Sequence, residues 1–367
     1  MQFTIEREAL LKPLQLVAGV VERRQTLPVL SNVLLVVDGD RLSLTGTDLE
    51  VELIGRIGLE DAAEDGEITL PARKLMDICK SLPESAVLTV RIEDGKALVR
   101  SGRSRFTLST LPATDFPSID ESAPAMRFNV SQVKLRRLID KVSFAMAQQD
   151  VRYYLNGMLL EMNQGSLRGV ATDGHRLAMS TMQADIDHQE RYQVIVPRKG
   201  ILELSRLLGE VDELVTITLG SNHLRVTTSD FTFTSKLVEG KFPDYERVLP
   251  RGGDKIVLAD RLDLRNALSR AAILSNEKYR GIRLMLSDNL VRLQANNPEQ
   301  EEAEEELAVD YQGSALEIGF NVSYLLDVMN VLDRENIKMT LADANSSALV
   351  QDAESDDSVY VVMPMRL

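Results

Sequence analysis

Two residues apart, Asp173 and His175 are the groups an enzyme would recruit as an acid–base pair. Nothing accompanies them: the sequence has no Gly-rich phosphate loop, no nucleophile motif and no cluster of metal ligands. His175, His188 and His223 lie far apart without metal-ligand spacing, and the single cysteine, Cys79, cannot form an internal disulfide. Catalysis, a structural zinc site and a cofactor are therefore not expected. The second chemistry on offer is electrostatic. A net charge of −14 taken alone argues against a conventional DNA-binding protein, yet the cations are not spread evenly. Arg7, Lys12, Arg23 and Arg24 share one helical stretch (7–24), Arg73, Lys74 and Lys80 a second (72–82), and Lys134, Arg136, Arg137 and Lys141 a third (131–149). Residues 197–208 and 260–274 are also net positive, whereas 322–334 is slightly acidic. Solvated helix faces would explain such cations one at a time. A surface that faces phosphate would explain them together, with an acidic remainder that repels nonspecific DNA.

The elements that must position these charges repeat. An alternating strand followed by an amphipathic helical stretch begins near Phe3, Phe128 and Ile256, roughly every 125 residues, which implies three domains of one design. A second strand-plus-helix unit opens in each at Ile68, Val194 and Ile318, so the chain reads as six half-units. Stripes at three- and four-residue steps mark one apolar face per helix: Leu10, Leu14, Val17, Val21; Leu75, Ile78, Cys79, Leu82; Leu135, Leu138, Val142; Ile201, Leu204, Leu208; Leu325, Met329, Leu332. Cys79 is thereby assigned to the core. Alternating runs such as Arg41–Leu44, Ala86–Val90 and Val215–Leu219, bounded by turn residues, read as antiparallel strands. The expectation is an α+β protein of three domains, 1–125, 126–253 and 254–367, with helices gathered on one side of antiparallel sheets.

Helix width then limits how such units could surround a ligand. Helices roughly 10 Å thick enclose about 9 Å when six stand in a ring and about 28 Å when twelve do, against roughly 20 Å for a duplex. One chain cannot encircle DNA; two can, joined head to tail through two equivalent interfaces. Complementary ends exist, Arg100–Phe106 with Arg103 and Arg105 in the first domain and the glutamate run Glu299–Glu306 in the third, with Ile273 and Leu274 as an apolar component. The acidic run reads equally well as a solvated loop.

Three segments carry a resemblance that spans Met1 to Leu367: Gln149-Asp150-Val151-Arg152-Tyr153-Tyr154-Leu155-Asn156-Gly157, Ala171-Thr172-Asp173-Gly174-His175-Arg176-Leu177, and Val361-Val362-Met363-Pro364-Met365-Arg366-Leu367. In them the chain resembles the bacterial sliding clamp family. The resemblance implies three clamp domains per chain and a dimeric ring, with antiparallel sheets outside, helices lining the inside, and no catalysis. It implies DNA contacts at Arg24, Arg73, Gln149, Tyr153 and Tyr154, whose types suit phosphate, hydrogen-bonding and stacking contacts without sequence preference. Tyr153 and Tyr154 would face opposite ways if they lay on a strand, which would make one of them a packing residue. It also implies a peptide cleft formed by Thr172, Gly174, His175, Arg176, Leu177, Pro243, Arg247, Val248, Val361, Val362, Met363, Pro364, Met365 and Arg366. Methionine and valine would form an adaptable floor, and Arg176, Arg247 and Arg366 would grip carbonyls or carboxylates at the rim. By apolar continuity alone, Tyr360–Met363 reads as a buried strand. Thr172-Asp173 repeats Thr47-Asp48 and should mark a strand-end turn. The dimer interface would bring Lys74, Arg103, Arg105 and Phe106 against Ile273, Leu274, Glu301 and Glu305.

The partners implied are double-stranded DNA, a second copy of the chain, the DNA polymerase III catalytic subunit and an ATP-driven clamp loader. Translesion polymerases and mismatch-repair and ligase factors would share the cleft. No apolar run approaches the ~18 residues of a membrane span, and the N-terminus lacks a secretory pattern, so a cytoplasmic chain is expected. The competing reading is a repeat scaffold that binds only proteins.

Overall fold

The computed structural model describes residues 1–21, 27–119, 124–188 and 190–367. Six β-α-β-β-β half-units follow one another. The first two are β1 (Gln2–Glu6), α1 (Arg7–Val20), β2 (Asn32–Asp38), β3 (Arg41–Thr47), β4 (Val51–Gly58), then β5 (Gly66–Pro71), α2 (Ala72–Ser81), β6 (Val87–Glu93), β7 (Lys96–Ser101), β8 (Ser104–Ser109). The next two are β9 (Met126–Ser131), α3 (Gln132–Val142), β10 (Gly157–Asn163), β11 (Ser166–Thr172), β12 (Arg176–Gln183), then β13 (Tyr192–Pro197), α4 (Arg198–Leu207), β14 (Leu214–Leu219), β15 (His223–Thr227), β16 (Phe231–Lys236). The last two are β17 (Lys255–Asp260), α5 (Arg261–Ala271), β18 (Gly281–Ser287), β19 (Leu290–Asn296), β20 (Glu302–Ala308), then β21 (Leu316–Asn321), α6 (Val322–Val331), β22 (Asn336–Leu341), β23 (Ala348–Asp352), β24 (Ser358–Val362).

The chain forms two compact units, Met1–Gln132 with Leu202–Leu237, and Val133–Ile201 with Val238–Leu367. The first holds a four-stranded sheet, β1-β6-β7-β8, and an eight-stranded sheet, β5-β2-β3-β4-β16-β15-β14-β9. Its helix α1 buries Leu10, Leu14 and Val17 completely and packs on β3 and β4. Gly46 permits that approach, since a Cβ there would stand 2.7 Å from Val17 Cγ1 and 2.8 Å from Val17 O. On α2, Leu75 and Cys79 are fully buried, and burial pushes the Cys79 thiol up to about 11, as a core cysteine should be.

The second unit mirrors this plan with an eight-stranded sheet, β13-β10-β11-β12-β24-β23-β22-β17, and a four-stranded sheet, β20-β19-β18-β21. All of its strand pairings are antiparallel. One expectation needs correction and one open alternative closes. The third helical stretch, read as 131–149, is helix only from Gln132 to Val142; a 3-10 turn, Ser143–Ala145, then lets Ala145, Met146 and Ala147 enter the core. The glutamate run is largely strand, not loop: β20 alternates exposed Glu302, Glu304 and Glu306 with half-buried Ala303, Glu305 and Leu307.

Candidate binding cleft

The cleft residues converge in the second unit, around the junction of β12 with β24. Arg176 pairs with Val362 and Leu177 with Val361, and Met363 N–H extends the ladder by donating to His175 O at 3.0 Å. The turn that starts β12 is closed by side chains. Thr172 Oγ1 donates to Arg176 O (2.6 Å) and accepts from Gly174 N–H (3.1 Å), while Asp173 Oδ1 accepts from the N–H groups of His175 (2.9 Å) and Arg176 (3.1 Å). This is the expected strand-end turn. Asp173 is thus committed to backbone and to Arg176, which leaves no acid–base geometry with His175.

Arg176 differs from the rim residue expected of it. Its side chain is only 12% exposed, and it donates to Asp173 Oδ2 (3.1 Å), to Phe144 O (3.0 Å) and to Asp327 of α6. Its guanidinium lies 4.5 Å from the Tyr324 ring centroid and 5.2 Å from that of Phe144. A cation that buried needs such a set of acceptors, so Arg176 rivets the turn to α6. His175 is exposed and stacks on Tyr324, centroids 6.4 Å apart.

Leu177, Val361 and Val362 are buried, as the apolar continuity of the tail predicts, and the first two belong to a cluster with Leu155, Leu159, Ile195, Phe242 and Tyr245. Val248 packs on the same cluster while half-buried. Around this floor stand exposed Pro243, Arg247, Met363 and Arg366, with Pro364 and Met365 half-buried. Arg247 is held by Asp244 at 2.8 Å. The tail reattaches beyond Pro364, where Met365 N–H donates to Gly319 O at 2.8 Å.

Beside the cleft, the loop before β10 is pinned at its base: Ala147 N–H donates to Leu155 O (3.0 Å), Asp150 N–H to Asn156 Oδ1 (2.9 Å), and Asn156 Nδ2 to Asp150 O (2.9 Å). Its crest exposes Gln149, whose φ is 54°, and Val151, which is 94% exposed. Arg152 forks onto Asp150 at 3.0 and 2.8 Å, and these bonds hold the Asp150 carboxyl down at about 2. Tyr153 and Tyr154 lie in a 3-10 turn rather than on a strand. Even so their fates divide: Tyr153 is 57% exposed, whereas Tyr154 packs on the cleft cluster. In the first unit Arg73 is exposed on α2; Arg24 lies outside the described residues.

The sequence matches the N-terminal, central and C-terminal domains of the DNA polymerase III beta subunit over residues 1–120, 129–244 and 246–366. The chain belongs to the bacterial beta sliding clamp family. It is 72% identical to the beta sliding clamp of Pseudomonas aeruginosa and 55% identical to that of Escherichia coli, in both cases over all of both chains. A crystal structure of the P. aeruginosa clamp bound to griselimycin superposes with a TM-score of 0.98 at 72% identity, again covering 100% of each chain. Membership makes the chain a processivity factor of DNA replication and not an enzyme.

Several residues that shape this clamp's cleft escaped sequence reasoning. Leu155 and Phe242 form its floor, Tyr324 and Asp327 hold its turn, and Arg152 stands against Gly174. Leu155 sits inside the recognised Gln149–Gly157 segment and could have been found there; α6 gave no signal, since its contribution depends on folding. Of the residues assigned to a dimer interface, Arg103, Arg105 and Lys74 are exposed and Phe106 half-buried in the first unit. In the second, Ile273 is 75% exposed, Leu274 is half-buried, Glu305 forks with Arg270 at 2.8 and 2.7 Å, and Glu301 closes a turn with Asn297. Among the described residues no group of three or more His, Cys, Asp or Glu could hold a metal, and no helix is long and apolar enough to cross a membrane.

Proposed function

We propose that two copies close head to tail around duplex DNA by pairing β8 of one copy with β20 of the other. The strand connectivity carries this reading. The fourth strands of the half-units pair with one another, β4 with β16 and β12 with β24, which leaves β8 and β20 as open sheet edges. In both existing junctions the first residue of the later strand sits opposite the fifth position of its partner, Phe231 opposite Gly55 and Ser358 opposite Ser180. Before β4 and β12 the first strand residue donates its N–H to an aspartate three residues earlier; before β20 it is Glu301 that donates, to Asn297 four residues earlier, so Glu301 takes the place of Val51 and Arg176 and Glu305 is the fifth position. The same register therefore sets Ser104 against Glu305, Phe106 against Ala303, Arg105 against Glu304 and Arg103 against Glu306. Outward-facing Arg meets outward-facing Glu, and Phe106 falls on the half-buried face of β20, which is the face that Arg270 of α5 reaches through Glu305. Cross-strand Cα atoms about 4.5–5.5 Å apart are within disulfide reach. F106C with A303C should cross-link the dimer, whereas F106C with E304C should not.

Arg24, Arg73, Gln149 and Tyr153 would supply weak, sequence-independent contacts to the enclosed duplex, so that topology rather than affinity holds the ring on DNA. The cleft would take short peptides of the DNA polymerase III catalytic subunit, and translesion, mismatch-repair and ligase factors would take turns in it. Griselimycin would occupy the same cleft. A closed ring cannot thread circular DNA unaided, which requires an ATP-driven loader, and the cytoplasm is the compartment where these partners act. The test is retention of loader-assembled protein on nicked circular DNA, compared with the same DNA linearised, at high salt. Loss from linear DNA alone is expected; equal retention on both would overturn encirclement.

A further inference from the structure

The linker between β16 and β17 supplies Pro243, Arg247 and Val248 to the cleft, yet among the described residues it forms no strand. Val238 N–H donates to Ile195 O at 2.8 Å; thereafter its backbone bonds are local, Arg247 N–H to Asp244 O and Val248 N–H to Tyr245 O. What ties it to the sheet is Tyr245, which is 2% exposed. Beneath Tyr245 a polar row crosses four strands. Gln193 on β13, Glu161 on β10, Arg168 on β11 and Thr181 on β12 are successive cross-strand partners. Gln193 Nε2 donates to Glu161 at 2.7 Å, and Arg168 Nε donates to Thr181 Oγ1 at 3.0 Å.

Glu161 is 4% exposed, so its carboxylate needs compensation, and Arg191 Nε supplies part of it at 2.5 Å. The Tyr245 hydroxyl completes the network. It donates to Glu161 at 3.0 Å and accepts from Arg168 Nη1 and Arg191 Nη2, both at 3.0 Å. One donated and two accepted bonds are all that a phenol can make. A hydroxyl so saturated fixes the linker's position as well as its attachment, because displacing it takes one donor from a buried carboxylate, which keeps Arg191 and Gln193, and one acceptor from each of two guanidinium groups at once.

We infer that Tyr245 and Glu161 are positioning residues for the cleft, setting where Pro243 and Val248 stand against the β12–β24 floor. This rests on the cleft reading above. The experiment titrates full-length wild type, Y245F, E161Q and Y311F with griselimycin at a temperature where circular dichroism shows each folded. Tyr311 is the comparator: its buried hydroxyl donates to Ser314 O in the same unit and takes no part in the Tyr245 network. Y245F and E161Q should bind about five-fold more weakly, the equivalent of one net hydrogen bond, while Y311F matches wild type. Amide exchange should quicken at Arg247 and Val248 in Y245F and stay slow in β10 to β13. If Y245F fails to fold, E161Q reads the same network from its other end. Wild-type binding with unchanged Y245F and E161Q affinity overturns the inference alone; a wild type that does not bind griselimycin overturns the cleft reading and the inference with it.

Discussion

The turns Thr47–Val51 and Thr172–Arg176 share a backbone and differ in everything that a ligand would meet. In each, the threonine hydroxyl donates to the carbonyl four residues on (2.8 and 2.6 Å), the aspartate caps two N–H groups, and the third residue has positive φ, 79° at Leu49 and 89° at Gly174. Even the edge bond is repeated, Lys236 N–H to Glu50 O at 2.8 Å and Met363 N–H to His175 O at 3.0 Å, and each turn belongs to a unit with a Phe-Pro pair, Phe116-Pro117 and Phe242-Pro243. What surrounds them diverges. Where the second turn has Leu177 and Val361 as an apolar floor, the first has buried Glu52 and Thr234, and its cavity of about 400 Å³ is lined by Ser118, Ser221, Asn222, His223 and Lys236. Repeated backbone conformation therefore does not make a repeated surface; an apolar floor and an aromatic-backed arginine occur at one copy alone.

Giving the second turn the first turn's residues should break this difference. The largest effect is expected for R176V, which takes Val51 as its template and leaves Asp173, Asp327 and Phe144 O without their shared cation. Unfolding in urea should show a loss of about 3 kcal/mol, near the range for breaking a buried ion pair, and griselimycin binding should vanish. G174L comes next. A Cβ there would stand 3.1 Å from Arg152 Nη2, at the movable end of a side chain, and the backbone stays in the left-handed region, so about 1–2 kcal/mol should be lost in the same assay. The reciprocal change, L49G, relieves that conformation at the first turn and should raise stability by about 0.5 kcal/mol after the glycine entropy is subtracted. The smallest effect concerns acid. The depressed Asp150 carboxyl means its fork with Arg152 contributes fully above pH 4 and is lost as pH falls toward about 2. A carboxyl NMR titration should place Asp150 well below the ordinary aspartate range, and R152A should bring it back into that range.

Legibility followed the range of the interaction. Apolar stripes named the buried faces of α1 and α2 down to Cys79, because a helix's 3.6-residue period is a local property. Of the run Tyr360–Met363, read as buried strand from its apolar continuity, Tyr360–Val362 is buried strand and Met363 is exposed beyond its end. The glutamate run stayed ambiguous between interface and loop because alternation is invisible when both faces carry the same charge: Glu304 faces Arg292 on the neighbouring strand while Glu305 turns to Arg270 of α5. Arg176 misled because its partners, Phe144 and Asp327, are distant in sequence.

By itself the sequence determined six half-units, their order and the helix faces that go inward, since these follow from periodicity and turn chemistry within a few residues. It also fixed the family, through motifs short enough to be read whole. Only the tertiary structure decided that Arg176 is buried against α6, which of two adjacent tyrosines remains exposed, and that Tyr245 anchors the linker. Each depends on side chains brought together from strands and helices far apart in the chain, and the burial and pairing of such groups have no counterpart in local sequence.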